Sequence, residues 1–267
     1  MIKSAPWAFS QSMVDPRYES LFHKLVALVP AWDGTGNPWV WIRGKGWVRA
    51  TTNGAGAGQW GSSKYGTELR YPADRAHWVT LGNADQLLNY SADGPFTLGC
   101  FGWSTGLSTI LELNCVGNAS RLRFVISCFS TDQVAVVMTD SANNFLTTSG
   151  TGVSFGGRNR AVMLLKRSAT SEDLYIDGRF FSNYSHGDWI PAANETVNLS
   201  IGGNANASGG DGAYTNGRVG MGAVWGRHLT AQEIRLWSDD PYGMFRPALK
   251  SFSSVVVVPR HRGWSRK

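Results

Sequence analysis

The segment that most constrains the fold is 174–181, LYIDGRFF, where Asp177-Gly178 separates two short runs of β-prone residues. Asp-Gly tolerates the positive φ angles of a two-residue turn, and that turn matches the twist of the strands it joins. The segment therefore reads as an antiparallel hairpin. The same pattern of short apolar runs broken by Gly, Asn and Asp continues from about residue 25 to 240. Residues 122–129 and 134–138 read as paired strands, 161–166 as another, and 220–225 as the last. In 197–201 the side chains alternate, which puts Val197, Leu199 and Ile201 on one face and Asn198 and Ser200 on the other. With 32 Gly but only 10 Pro in 267 residues, the chain has the turn supply of an all-β fold without the signature of disorder.

Two helical signals interrupt this pattern. Thr230 and Glu233 form a capping box, followed by an apolar stripe of Leu229, Ile234 and Trp237 that Pro241 ends. Asp15-Pro16 offers a second, N-terminal helix start. The organisation expected is an arm at 1–24, one sandwich at 25–240 and a basic arm at 241–267. Such sandwiches commonly run to about 200–250 residues as a single unit.

Charge sets the arms apart. After Asp240 there is no acidic residue, whereas Arg246, Lys250, Arg260, Arg262, Arg266 and Lys267 equal the whole formal net charge of +6. A neutral body argues against a nucleic-acid face, which would carry its Lys and Arg on the fold itself. The first residues lack the apolar stretch of a secretory signal. The longest aliphatic run, 255–258, is far short of the roughly 20 residues that cross a bilayer. Neither export nor membrane insertion is expected. Cys100, Cys115 and Cys128 are odd in number, lie in apolar surroundings and lack metal spacing, so reduced buried thiols are expected.

The segments 174–181 (LYIDGRFF), 199–204 (LSIGGN) and 220–237 (GMGAVWGRHLTAQEIRLW) resemble, in this order, the laminin-G-like, concanavalin A-like modules of bacteriophage and bacterial proteins. The stretch 240–247 (DPYGMFRP) is similar to the ending of the phage versions. Looser similarity extends upstream to 25–36 (LVALVPAWDGTG) through Trp60, 65–69, 78–82 and 95–103. The resemblance implies a two-sheet jelly-roll sandwich with one short C-terminal helix and extended arms. It also implies a bacteriophage virion structural protein, a capsid decoration or cement protein made in the host cytoplasm. The alternative is a carbohydrate-binding adhesin or tail-associated receptor-binding protein. One such sandwich serves many functions, so function must come from the site.

Catalytic groups are not evident. A glycosidase needs two carboxylates roughly 5–10 Å apart. Glu112 stands alone in sequence, Glu172 and Asp173 are adjacent and so face opposite ways on a strand, and Asp177 belongs to its turn. The five His residues show no metal-ligand spacing. No enzyme activity, and no cofactor apart from a possible Ca²⁺, is therefore expected. That ion is considered because the polar stretch 202–217 holds Asn204, Asn206, Asp211 and Asn216 as candidate oxygen ligands. Tyr214 in the same stretch could stack on a surface glycan.

Of the 12 Trp residues, Trp103, Trp225 and Trp237 read as core. The cluster of Trp32, Trp39, Trp41 and Trp47, with Trp7 and Trp264, reads as lying near irregular or arm segments. Exposed Trp is costly unless a partner covers it. Trp7, Phe9, Arg260, Arg262, Trp264, Arg266 and Lys267 are thus the expected grips on virion partners, either the major capsid protein or tail subunits, in a homo-oligomeric assembly.

Overall fold

A computed structural model describes residues 16–30, 36–53, 59–63, 66–71, 76–83, 94–104, 108–115, 123–130, 133–139, 145–151, 160–166, 168, 170–185, 196–202 and 217–245. Two antiparallel sheets form the body. The larger runs in the order β15 (Arg179–Ser185), β14 (Ser171–Ile176), β13 (Arg160–Lys166), β8 (Phe96–Ser104), β17 (Gly217–Trp225), β1 (Leu25–Pro30), β2 (Trp39–Ile42) and β3 (Gly46–Arg49). β6 (Gly66–Tyr71) also pairs with β17 and carries β5 (Gln59–Ser63). The smaller sheet runs β12 (Phe145–Thr151), β11 (Gln133–Thr139), β10 (Arg123–Ser130), β9 (Ser108–Cys115), β16 (Thr196–Ile201), β7 (Ala76–Asn83) and β4 (Thr51–Asn53).

The hairpins expected from sequence form in register. Val125 faces Val137 across β10 and β11, and Asp177 and Gly178 turn β14 into β15 with φ of 49° and 75°. The inner faces of both sheets share one apolar core, to which Val26, Leu98, Val162 and Val219 contribute from the larger sheet and Leu111, Leu113, Ile126 and Leu199 from the smaller. This is an all-β, two-sheet jelly-roll sandwich. Cys100 is buried as a free thiol within this core, and burial pushes its pKa up.

The alternation at 197–201 holds, and both faces are buried. Val197, Leu199 and Ile201 enter the core, while Asn198 and Ser200 on the opposite face are buried as well. Sequence alternation reports the pleat; it does not report what lies over the second face.

A second apolar layer covers the outer face of the larger sheet. It is built from the 3₁₀ helix Pro16–Phe22, the helix α1 (Ala231–Asp239) and the 3₁₀ helix Pro241–Phe245. Residues 16–24 and 241–245, which sequence assigns to the arms, therefore pack on the sandwich through Tyr18, Leu21, Phe22 and Met244. These apolar residues are too few for a sequence to show which surface they meet.

At the centre of this layer the Trp225 and Trp237 rings meet edge to face at 5.9 Å, both fully buried. The Trp225 indole donates to the Leu21 carbonyl at 2.7 Å, tying the sheet to the N-terminal turn. Gly99 makes room for the pair: a Cβ there would lie 3.2 Å from both the Trp225 ring and the Met163 methyl.

α1 starts with the full capping box, Thr230 accepting from the Glu233 amide while the Glu233 carboxylate accepts from the Thr230 amide. Glu233 also takes two hydrogen bonds from Arg227, at 2.8 and 2.7 Å. Arg227 in turn donates to the carbonyls of Ser20 and His23 at 2.7 and 2.8 Å. One guanidinium thus joins the end of β17, the N-terminal turn and the first turn of α1. The fork geometry suits Arg and not Lys.

Burial alone would raise the Glu233 pKa, but the Arg227 hydrogen bonds, the Thr230 amide and the Ser20 hydroxyl outweigh it and lower the carboxyl from its ordinary 4.5 to about 2. Folding therefore favours the ionised form. The stabilisation is present above pH 4.5 and is lost as pH falls from there toward 2. Arg227→Ala, which strands a mostly buried carboxylate, should cost about 3 kcal/mol and lower Tm by roughly 6–12 °C. Glu233→Gln should flatten the acid limb of the stability profile. Both are read from thermal unfolding across pH 2–7.

Candidate functional site

The helical layer does not cover the whole outer face of the larger sheet. Beyond β1 lies the β2–β3 hairpin, with sequence WVWI on one strand and GWVR on the other. Indole and aliphatic side chains alternate along it. Val40 and Ile42 are fully buried in the inter-sheet core, and Val48 packs against that core. Trp39, Trp41, Trp47 and Arg49 consequently share the outer face. Trp41 stands directly opposite Trp47 and Trp39 opposite Arg49. All three indoles are half-buried and Arg49 is exposed.

Local structure holds this face in place. Gly44 and Gly46, with φ of 78° and 74°, close the hairpin turn around Lys45. The Lys45 ammonium donates to the Thr80 carbonyl of β7 at 3.1 Å. At the open end, Ala50 donates to the Pro38 carbonyl at 3.0 Å and the Asn37 side chain to the Ala50 carbonyl at 2.9 Å. The Trp60 indole of β5 donates to the Gly36 carbonyl at 2.8 Å. On the platform, the Arg49 guanidinium lies 4.2 Å from the Trp39 ring centroid and donates to the Asn37 carbonyl. Trp41 packs against the helical layer on its inner side. The Trp47 indole nitrogen is shielded from solvent and has no hydrogen-bond acceptor among the described residues.

Chemically this is an aromatic surface with a cation lying over one of its rings. Trp faces carry negative quadrupole density and attract the weakly positive C–H groups of a ring stacked on them. A guanidinium supplies donors for hydroxyl or carboxylate oxygens. Trp39 and Trp41 are two residues apart on a strand, a repeat of roughly 7 Å, on the order of one sugar ring.

Trp39, Trp41 and Trp47, expected near irregular or arm segments, stand instead on regular strands. The alternation of Trp with Val or Ile at 39–42 and of Trp, Val and Arg at 47–49, around an R-G-K-G turn, is the signal that would have found the hairpin. Trp32 lies outside the described residues. So do all of the expected grips, Trp7, Phe9, Arg260, Arg262, Trp264, Arg266 and Lys267, and the polar-loop residues Asn204, Asn206, Asp211, Tyr214 and Asn216. Trp225 and Trp237 are core, as expected.

Carboxylates are buried in several separate places. Glu172 and Asp173, neighbours on β14, are both buried, and Asp173 accepts from the Asn183 side chain at 2.7 Å. Glu68 is fully buried with Arg218 at 3.6 Å. Among the described residues no group of three His, Cys, Asp or Glu could hold a metal ion. On the smaller sheet, the Thr80 hydroxyl donates to the buried Asn198 side chain at 2.9 Å. In the register of β16 with β9, Asn198 pairs with Asn114 and Ser200 with Glu112.

No family model matches the sequence. No curated protein matches it either. Among solved structures, the chain is similar to domain 4 of AbnA, a GH43 extracellular arabinanase from Geobacillus stearothermophilus, in complex with arabinotriose. The TM-score is 0.56 at 11% identity, over 80% of this chain and 98% of that one. It is also similar to the botulinum neurotoxin serotype C1 binding domain, with TM-score 0.57 at 10% identity over 81% of this chain and 52% of that one. A third is a structure of botulinum neurotoxin type C, which depends on interaction with two ganglioside molecules to get into cells; its TM-score is 0.56 at 12% identity, over 81% of this chain and 51% of that one. The chain thus spans about half the length of these neurotoxin structures. At such identities the likeness is one of fold, a lectin-like jelly-roll sandwich.

Replacing Arg49 by Ala removes the cation from over Trp39 and should cost about 0.5–1 kcal/mol. Thermal unfolding should show a Tm loss of a few degrees, and quenching of tryptophan fluorescence by a neutral quencher should increase.

Proposed function

We propose that the chain is a carbohydrate-binding sandwich without a catalytic centre, and that it grips its ligand on the outer face of the β2–β3 hairpin. The observation that carries this reading is the convergence of Trp39, Trp41, Trp47 and Arg49 on one side of that hairpin, where the helical layer stops. Three indoles left half-open to water on a rigid strand pair are costly unless a flat ligand covers them. The fold likeness to an arabinanase domain in complex with arabinotriose, and to a neurotoxin dependent on gangliosides, supports the ligand class. An oligosaccharide fits better than a single sugar, because stacking positions repeat along β2. Arg49 adds a preference for a ring bearing a carboxylate or a well-placed hydroxyl pair. The scattering of Glu68, Glu172 and Asp173 over the larger sheet supports binding without hydrolysis.

A location on a virion is supported by a different observation, the resemblance of 174–181, 199–204, 220–237 and 240–247 to phage modules. On that reading the sandwich is displayed by a capsid decoration protein, or by a receptor-binding protein of the tail. The neighbours named above are not virion proteins, so this placement rests on sequence alone.

Glycan-array screening of the full chain followed by calorimetry on the best ligand tests the proposal. Affinity should rise with oligosaccharide length over the first few sugars. Trp39→Ala should weaken binding about tenfold, or ~1.4 kcal/mol, with Tm little changed. Tyr214→Ala tests the competing loop at 202–217. Loss of binding in Tyr214→Ala with full binding in Trp39→Ala would move the site to that loop, and silence on a broad array with and without Ca²⁺ would count against the whole reading.

A further inference from the structure

The larger sheet ends on one side at β15, an edge strand of seven residues, RFFSNYS. Its burial differs from that of the strands beside it. Arg179, Phe180, Phe181, Asn183 and Ser185 are exposed, and Phe180 and Phe181 keep 56% and 38% of their surface open to water. These two are the exposed large hydrophobic residues among the described part of the chain. Only one edge of β15 is used, through the ladder to β14 from Ser171↔Ser185 to Ile176↔Arg179.

Natural edge strands are guarded against pairing with other chains by Lys, Pro, shortness or a covering element. β15 has no Lys and no Pro, is longer than a typical strand and is exposed at five of its seven positions. A bulge between Leu174 and Tyr175 is the only irregularity in its ladder, and it lies near the turn, leaving 182–185 regular. The edge therefore presents free backbone donors and acceptors flanked by two aromatic rings.

A matching strand is written elsewhere in the sequence. Residues 251–258 read SFSSVVVV: eight residues with one Phe and four consecutive Val, no charge, no Gly and no Pro, bounded by Lys250 and Pro259. This is the composition that adds most readily to an open edge, and its length suits the seven residues of β15. Val255, Val256, Val257 and Val258 have no role in the sandwich as described, whose last described residue is Phe245. Phe245 itself belongs to the helical layer. α1 of that layer rests on the turn that opens β15, where Gly178 sits 3.2–3.3 Å, measured from an added Cβ, from Arg235 and Ser238.

We propose that β15 is a docking edge for the segment 251–258 of a second copy of this chain, which adds to the larger sheet as a further strand. Among the described residues no strand pairs with the outer edge of β15, and the mass in solution tells a second copy's segment from the chain's own. Backbone hydrogen bonds give the pairing its strength, and the Phe180 and Phe181 rings give the aliphatic valines a surface to cover. The exchange also carries Arg260, Arg262, Trp264, Arg266 and Lys267 onto the neighbouring sandwich. The result is a homo-oligomer linked by exchanged ends, a conclusion independent of whether the β2–β3 face binds sugar.

The test is the mass of the full chain in solution, measured by sedimentation velocity over a concentration series, with two variants. Val256→Pro removes a ladder donor from the segment. Phe181→Lys places a guard charge on the exposed edge. The wild type should self-associate, and each variant alone should dissociate at concentrations where the wild type does not. Mixing the two should restore association, because Val256→Pro keeps an intact edge and Phe181→Lys keeps an intact segment. A monomeric wild type overturns the proposal. So does an oligomer untouched by Val256→Pro, which would mean that β15 pairs with β15 or that another surface is used, and so does a mixture that stays monomeric. At a dilution where the wild type is itself dissociated, equal Tm of the three proteins confirms that edge pairing, and not folding, has been altered.

Discussion

The interaction on which the rest of the structure depends is the buried contact between Trp225 at the end of the last strand and Trp237 on the helix that follows it. A sandwich has two outer faces, and each is either wetted or covered. Here the Trp225–Trp237 pair, seated over Gly99, fixes α1 on the larger sheet, and Arg227 and Glu233 then hold the N-terminal turn to the same place. Among the described residues the cover extends as far as Trp41. The aromatic strip on the β2–β3 hairpin is, among those residues, a part of that sheet's face beyond the cover, so the packing that stabilises the fold also borders the candidate site.

The two ends of the larger sheet differ in a way that matters for function. At one end, β2 and β3 present side chains: three indoles and a guanidinium on a rigid surface. At the other, β15 presents backbone: an edge with unused hydrogen-bonding groups and two exposed Phe rings. The first suits a flat ring with hydroxyl groups, the second an extended peptide. A single sandwich can therefore serve as a ligand-binding face and as a link in an assembly without the two uses competing for residues.

Much of the fold is legible in the sequence because its signals are local. The Asp177-Gly178 turn, the Thr230–Glu233 capping box and the pairing of β10 with β11 each rest on residues a few positions apart, and each forms as expected. The burial of Asn198 and Ser200 was not legible, nor was the docking of 16–24 and 241–245 on the sandwich, since both depend on what arrives from distant parts of the chain. The tryptophan platform falls between these cases. Its alternation is local and readable, but its meaning depends on β1 and the helical layer ending where they do. The basic C-terminal residues 246–267 and the polar stretch 203–216 stood out by composition, and they lie outside the described residues.

The most direct measurement of the central claim is calorimetric titration of the wild type and Trp39→Ala with an oligosaccharide selected by array, under conditions in which both are fully folded. The account requires saturable binding by the wild type and a loss of about tenfold in the variant. Equal affinity of the two proteins for the same sugar would contradict it.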